Sequence, residues 1–97
     1  MPAYVIVDVN INDPADYENY KKLTPASLKP YQGSFIVRGG PVETLEGDWV
    51  PGRIVVLEFP TAQLARQWWD STEYAPAKII RQRAAVTRMI LAEGIGT

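Results

Sequence analysis

Two amino-acid types are absent from this chain of 97 residues, which contains no cysteine and no histidine. The lack of cysteine excludes disulfides, thiolate nucleophiles, iron–sulfur clusters and thiolate zinc sites. The lack of histidine removes the usual general base near neutral pH, the Ser-His-Asp arrangement and imidazole metal ligands. Any chemistry must therefore use carboxylates, tyrosines, lysines, arginines or backbone groups. An all-oxygen metal site remains possible, but the chain lacks an aspartate-rich calcium-loop pattern, so we expect no metal site. We also expect no cofactor.

An excess of one charge and long apolar runs are also missing. The chain has 10 lysines and arginines against 11 aspartates and glutamates, a formal net charge of −1. Arg81, Arg83 and Arg88 therefore read as solvated or paired side chains, and no nucleic-acid partner is expected. No apolar run approaches about 18 residues, so no membrane span is expected. The first residues show no signal-peptide pattern, which favours the cytoplasm.

The chain does contain four β-rich runs and several helical segments, enough for one domain over residues 1–97. The predicted strands are 3–11, 34–38, 53–59 and 86–93. The predicted helices are 14–24, a short piece over 25–31, 62–70, and one that starts around Pro76 and ends near Arg83. Asp13 and Thr61 are predicted helix N-caps, and Pro25 is predicted to break or kink the first helix.

The order strand, helix, strand, strand, helix, strand predicts an α+β, ferredoxin-like βαββαβ fold with a four-stranded antiparallel sheet. Right-handed crossovers would place the helices on one face of this sheet. The strand 53–59 is apolar on both of its faces. One face carries Ile54, Val56 and Glu58, and the other carries Val55, Leu57 and Phe59. Since the helices can cover only one face, we expect a second copy of the chain to cover the other.

The stretch Gly39–Gly52 reads as a long, glycine-rich hairpin. Gly39-Gly40-Pro41 predicts a β-bulge, after which the strand could resume over 42–45. Glu46-Gly47-Asp48 predicts the turn. Arg38 beside the two glycines could hold an anion, although a bulge that bends the sheet is the favoured interpretation.

Polar and aromatic residues at the ends of these elements predict a small ligand pocket between sheet and helices. The candidate ligand-binding residues are Arg38, Trp49, Arg53, Trp69, Tyr74 and Arg81. The catalytic candidates are Glu58 and Tyr74, either of which could handle a proton. Other interpretations stay open: Trp49 could pack on a partner subunit, and Tyr74 with Arg81 could be core packing plus a helix-end cation. Trp68 and Trp69 lie about 100° apart on a helix, so one should enter the core and the other a cleft or interface.

Glu58 shares its strand face with apolar residues, which could raise its pKa. We predict that the first and third strands are adjacent and parallel, with the fourth beside the first, so that Asp8, Glu58 and Arg88 could approach one another near one end of the sheet. A structural ion-pair network is then the favoured interpretation, ahead of acid–base chemistry.

Several blocks at fixed spacing run almost from end to end of the chain: Tyr4-Val5-Ile6, Asp13-Pro14, Tyr17, Phe35-Ile36-Val37-Arg38-Gly39-Gly40, Leu45-Glu46-Gly47-Asp48-Trp49, Arg53, Glu58-Phe59-Pro60, Asp70-Ser71, Glu73-Tyr74, Arg81 and Glu93-Gly94. In these blocks the chain resembles the small bacterial proteins grouped as domain-of-unknown-function family 1330. The resemblance implies the dimeric α/β-barrel form of the ferredoxin-like fold. It implies no reaction, because the family is similar to cofactor-free monooxygenases only in fold.

Two function classes follow. The first is a homodimer that binds a small organic ligand between sheet and helices. The alternative is a cofactor-independent enzyme, monooxygenase- or isomerase-like, acting on a small organic substrate with an arginine to hold an anion.

Overall fold

The four predicted strands form one antiparallel sheet in the computed structural model, which describes residues 1–96. The strands are β1 (Ala3–Ile11), β2 (Ser34–Arg38), β3 (Arg53–Phe59) and β4 (Ala85–Glu93), in the spatial order β2-β3-β1-β4. The helices are α1 (Pro14–Leu28), α2 (Ala62–Trp69) and α3 (Ala75–Ala84), and a 3₁₀ turn spans Lys29–Tyr31. The predicted α+β, ferredoxin-like fold is confirmed.

Strand β1 lies between β3 and β4 and runs antiparallel to both. The prediction that the first and third strands are parallel was therefore wrong. The reason is topological: the crossover through α1 makes β1 and β2 parallel, and the connection from β2 to β3 then reverses the chain.

Helix α1 begins at the predicted N-cap, since the Asp16 amide donates to Asp13 Oδ1 at 3.2 Å. The helix was predicted to end before Pro25, but it continues to Leu28. A proline has no N–H to give the carbonyl four residues earlier, which here belongs to Lys21. Arg38 Nη2 donates to that oxygen at 3.1 Å. A strand side chain thus replaces the missing backbone donor, and the helix passes through the proline.

Helices α2 and α3 are separated by a short turn around Ser71. Thr61 caps α2 as predicted, with the Leu64 amide donating to its hydroxyl at 3.2 Å. The Ser71 hydroxyl donates to the Trp68 carbonyl at 2.7 Å and accepts from the Tyr74 amide at 3.0 Å. One side chain therefore closes the end of α2 and opens α3.

The core lies between the helices and one face of the sheet. That face carries Val5, Val7 and Val9 from β1 and Val55, Leu57 and Phe59 from β3, all buried. Trp68 and Tyr74 are fully buried against this face, with ring centroids 4.0 Å apart. Large aromatic rings at this spacing add a favourable contact to the burial of their apolar area.

The other face of the sheet, the outer face, is not covered by any helix within residues 1–96. Its exposed apolar side chains include Val86 and Ile90 on β4, which are 62% and 61% exposed. Contiguous exposed apolar surface marks interaction sites in globular proteins. Coverage of this face by a second copy stays a prediction.

Residues 39–52 contain no strand, so the predicted resumption over 42–45 was wrong. The β-bulge is also not at Gly39-Gly40. The pairing of β2 with β3 shifts between Phe35 and Val37, which leaves Ile36 as the extra residue. Gly47 adopts a φ of 86°, as the predicted turn requires.

The bulge at Ile36 decides which way Arg38 points. Phe35 pairs with Leu57 and Arg38 pairs with Val55, and both of these β3 residues face the core. Without the extra residue, Phe35 and Arg38 would lie on opposite faces, because side chains alternate along a strand. The bulge therefore brings Arg38 to the helix side, where it reaches α1.

Candidate functional site

The structure distributes the predicted site residues over three places. Arg38 and Arg53 line a small cavity beneath α1, called the inner cavity. Trp69 and Arg81 line a cleft between α2, α3 and β4, called the edge cleft, and Tyr74 is buried behind it. Trp49 and Glu58 lie on the outer face, away from the other candidates. The predicted single pocket is thus not one space.

The inner cavity is lined by residues that include Tyr17, Tyr20, Phe35, Arg38 and Arg53. Its water-accessible volume is about 20 Å³, which is room for one water molecule. Arg53 Nε is buried without a partner among the described residues, and one water is enough to satisfy it. Arg38 is already engaged with α1, and its guanidinium lies 4.2 Å from the Phe35 ring centroid. This cavity is too small for an organic ligand.

The edge cleft consists of two neighbouring cavities that share Trp69 and Met89 in their linings, one polar and one apolar, which are called its polar and apolar ends. The polar end is lined by Trp69, Arg81, Gln82, Ala85, Thr87 and Met89, with a water-accessible volume of about 400 Å³. The apolar end shares Trp69 and Met89, and its lining includes Val5, Ala65 and Leu91, with about 260 Å³. Pockets for small molecules have volumes of about 300–1,000 Å³. The cleft is therefore of the size that a small organic molecule needs.

Arg81 is the central polar group of this cleft. Its side chain comes from α3 and is 3% exposed. Its Nε donates to the Tyr74 hydroxyl at 3.2 Å, whereas its Nη2 is buried with no partner among residues 1–96. The hydroxyl of Thr87, on β4, is likewise buried and unpartnered. Such groups are rare in folded proteins, and each costs about 1–3 kcal/mol when left unsatisfied.

A series of hydrogen bonds, called the line from Arg81, connects Arg81 to two tyrosines towards the core. The Tyr74 hydroxyl lies 3.0 Å from the Tyr20 hydroxyl, and either oxygen could be the donor. Because Arg81 Nε donates to Tyr74, the Tyr74 proton is free to go to Tyr20. Burial raises the pKa of Tyr20, and the neighbouring Tyr74 adds to the rise, so Tyr20 stays protonated at neutral pH.

The two adjacent tryptophans separate as the helical angle predicts. Trp68 is fully buried in the core, and Trp69 is half-buried at the cleft. Lys78 Nζ lies 4.1 Å from the Trp69 ring centroid, and Arg81 Cζ lies 5.7 Å from it. Two cations therefore sit against the indole that separates the polar and apolar ends of the cleft.

On the outer face, Asp8 ties the 39–52 loop to the sheet. Its Oδ2 accepts from Trp49 Nε1 and from Arg88 Nη2, each at 3.0 Å, and its Oδ1 accepts from the Gly52 amide at 2.9 Å. Hydrogen bonds from Trp49, Gly52 and Arg88 hold the pKa of Asp8 below its ordinary value, although burial acts in the opposite direction. Trp49 thus anchors a loop and does not line the edge cleft.

Glu58 is not part of this network. In the antiparallel register Asp8 pairs with Ile54, and Glu58 pairs with Tyr4 at the other end of β1. The predicted approach of Asp8 to Arg88 is confirmed, but the predicted approach of Glu58 to either was wrong. A hydrogen bond to the Glu58 carboxylate raises the pKa of Tyr4. Glu58 therefore cannot act on a molecule in the edge cleft.

Thr87, Gln82 and Met89 were missed as candidates for the site. A weak signal exists for Thr87, because it is a hydroxyl residue between Ala85 and Met89 on a strand face that is otherwise apolar. Gln82 follows Arg81 on an exposed stretch and carries no such signal. The cleft forms only when the edge strand meets α2 and α3, which a linear pattern does not show.

Residues 2–95 match the family described as Domain of unknown function (DUF1330). No curated protein matches the chain in sequence. None of the helices in residues 1–96 combines the length and apolar character that crossing a membrane requires.

Solved structures with the same fold are distant in sequence. A protein of unknown function from Rhodopseudomonas palustris superposes with a TM-score of 0.75 at 17% identity, over 99% of this chain and 84% of that one. SnoaB from Streptomyces nogalater, a cofactor-independent oxygenase, gives 0.64 at 13% identity, over 99% and 95%. A dimeric protein of unknown function with a ferredoxin-like fold from Bacteroides fragilis gives 0.65 at 13%, over 96% of both chains. At these identities the likeness shows the fold alone.

Proposed function

Because this chain belongs to the DUF1330 family, whose description assigns no activity, we propose a function from the geometry: the protein binds a small organic molecule in the edge cleft. The observation that carries the proposal is the composition of that cleft. Polar side chains converge at one end, and an indole and aliphatic side chains form the rest of the wall. Small-molecule sites combine these two features, with apolar walls for affinity and a few polar groups for orientation.

Trp69 supplies most of the flat surface that a ligand can use. It lines both ends of the cleft, together with Met89. A planar molecule on the indole would bury apolar area at about 25 cal/mol per Å². Met89 adapts its shape easily, because its side chain is unbranched and flexible. Of the ligand-binding residues predicted from the sequence, Trp69 and Arg81 remain in this proposal as lining residues.

Ligand binding is tested by native mass spectrometry and by a thermal-shift screen of small organic molecules on the full-length chain. Trp69→Leu is the test variant, and Trp49→Leu is its control, since it removes an indole from the outer face. We expect compounds that stabilise the wild type and the control to lose at least tenfold in affinity with Trp69→Leu. Equal binding by both variants would contradict the cleft as the site.

The proposal includes a homodimer formed through the outer face. It is supported by the exposed apolar side chains of that face and by the Bacteroides fragilis neighbour, which is described as dimeric. Ile90→Lys places a charge on the outer face, and Ile79→Lys is the control on α3, since the two isoleucines are 61% and 60% exposed. We expect the first variant to be monomeric and the second dimeric in native mass spectrometry. The cytoplasmic location expected from the sequence belongs to the same proposal.

A cofactor-independent enzyme is the second candidate function. The observation that favours it is the line from Arg81 through Tyr74 to Tyr20, which connects the cleft to two hydroxyl groups. Arg81, held by these hydrogen bonds, would stabilise the negative charge that develops on a bound molecule as its proton passes to water, and SnoaB, described as a cofactor-independent oxygenase, has the same fold. Oxygen uptake with a bound compound, reduced at least tenfold in Tyr74→Phe but unchanged in Glu58→Gln, would support this alternative.

A further inference from the structure

We infer that the ligand of the edge cleft is a planar organic carboxylate, whose anionic head takes the free donors of Arg81 and Thr87. This inference rests on the proposed function, because it names the chemical class of the molecule that the cleft binds. The carrying observation is that two buried, unpartnered polar atoms, Arg81 Nη2 and Thr87 Oγ1, belong to residues lining the same end of one cleft.

The charge of Arg81 has no counter-charge in the described chain. The ion pairs within residues 1–96 are Lys21–Glu18, Arg83–Asp16 and Arg88–Asp8. Arg81 is in none of them, although it is the most deeply buried of the arginines in the cleft region. A buried charge is costly unless it is paired and hydrogen-bonded. An anion supplied by a ligand would provide both the missing counter-charge and the missing hydrogen-bond acceptor.

The free donors of Arg81 and Thr87 favour a ligand whose polar group is a carboxylate over one whose polar group is neutral. A guanidinium only donates, and a threonine hydroxyl can donate as well, so the matching group must accept two hydrogen bonds. A carboxylate offers two oxygens and forms charge-assisted bonds to arginine, which are stronger than bonds between neutral groups. The lining of the polar end contains no acidic side chain that would repel it. Lys78, against Trp69, adds a second positive charge nearby.

The orientation of the ligand follows from the two ends. The lining of the apolar end includes both Arg66 and Asp70, whose opposite charges offset each other, and none of its residues has a buried donor without a partner among the described residues. The head is therefore at Arg81, and the planar body lies along Trp69 towards Leu91. Both free donor atoms are buried, so a ligand reaches them only if side chains of the lining move, and Gln82 and Met89 are the flexible ones there.

A comparison within the molecule supports this choice of site. Arg53 Nε is also buried and unpartnered, but the inner cavity beside it has a volume of about 20 Å³. That space has room for one water molecule, which is enough to accept from Arg53 Nε. The edge cleft has a volume of about 400 Å³ at its polar end, which admits a whole carboxylate with its ring.

The test uses 2-naphthoate and 2-naphthamide, which match in shape and differ in the charge of the head. Both are titrated into the full-length protein by isothermal calorimetry at pH 7.5. We expect naphthoate to bind the wild type at least tenfold more tightly than naphthamide. Arg81→Gln should remove this preference, and Thr87→Val should weaken naphthoate severalfold with naphthamide unchanged. Arg83→Gln, on the same helix but paired with Asp16 outside the cleft, is the control and should bind as the wild type.

Three results would overturn the inference. The first is that wild type binds the two probes with equal affinity and that Trp69→Leu binds neither. That result would support ligand binding in the cleft but would contradict the preference for a carboxylate. Equal weakening of naphthoate by Arg81→Gln and Arg83→Gln would show a general charge effect. Binding of neither probe by the folded wild type would count against both proposals. Should Arg81→Gln not fold, Thr87→Val carries the test, since valine keeps the shape of threonine.

Discussion

Replacing Asp8 with asparagine would remove one negative charge from the point where β1 holds the 39–52 loop. The carboxylate accepts three hydrogen bonds there, from Trp49, Gly52 and Arg88, and it is 6% exposed. An asparagine keeps one carbonyl oxygen but presents an NH₂ group in place of the second oxygen. That group faces donors, so it cannot replace the lost acceptor.

The expected loss in the free energy of unfolding is about 2 kcal/mol. Hydrogen bonds to a charged group contribute about 1.5–3 kcal/mol each. The bond from Arg88 contributes at the low end, because the Arg88 side chain is 72% exposed and water can replace the carboxylate. Trp49 is itself 55% exposed, so its bond is discounted as well, and the three bonds together leave about 2 kcal/mol rather than three full contributions. For a domain of this size, about 2 kcal/mol lowers Tm by about 8–16 °C.

The loss should depend on pH with a definite sign. The folded protein holds the pKa of Asp8 below its ordinary value, so the stability that the ionised carboxylate contributes is present above the unfolded pKa of about 4. It is lost as the pH falls through the lowered folded pKa. The difference between wild type and Asp8→Asn should therefore be full at pH 7 and shrink below about pH 4. Asp16 and Glu73 also have lowered pKa values, but both proteins contain them, so they cancel.

The assay is urea denaturation at pH 7 and at pH 3, with the protein concentration held fixed because self-association would add to the apparent stability. Asp48→Asn is the matched control, since it removes the same charge from an exposed position of the same loop. Limited proteolysis should cut the loop faster in Asp8→Asn. The reasoning is refuted if the two variants agree within about 0.5 kcal/mol at pH 7, the range usual for surface substitutions.

Two other substitutions test local features of the fold. Arg38→Met should lower the free energy of unfolding by about 1 kcal/mol, because a carbonyl of α1 loses its donor. In a Pro25→Ala background this loss should be smaller, since residue 25 then supplies the N–H. A double-mutant cycle with no coupling energy would contradict this account. Gly52→Ala should cost about 2 kcal/mol or more, because its Cβ would overlap the Val9 carbonyl oxygen, whereas Gly40→Ala, with nothing within 4 Å, should stay within about 0.5 kcal/mol in thermal melts.

Alternation along the strands was enough to predict which residues share a face. The pattern of β3 separated Val55, Leu57 and Phe59, which lie on the core side, from Ile54, Val56 and Glu58, which lie on the other side. The position of Glu58 along the sheet was predicted wrongly, because the direction of β3 relative to β1 was wrong. A residue's face depends on its own strand, whereas its neighbours depend on chain direction and register.

Long-range contacts explain the other differences. Pro25 is a local helix breaker, and its effect is offset by Arg38, which arrives from β2 and has no sequence signal. The bulge at Ile36 has no glycine or proline to mark it, while Gly39-Gly40 looked like one and is not. The edge cleft needs α2, α3 and β4 together, so Thr87 gains its place only in the folded chain.

The three tryptophans of the chain are each in a different part of the molecule. Trp68 lies in the closed core, Trp69 at the edge cleft and Trp49 at the outer face. Replacing two at a time with phenylalanine leaves one intrinsic fluorophore per protein. The emission of Trp68 then reports unfolding of the core, that of Trp69 reports ligand binding and that of Trp49 reports dimerisation. No external label is needed. The fold thus carries its own spectroscopic reporters for each proposal made about it.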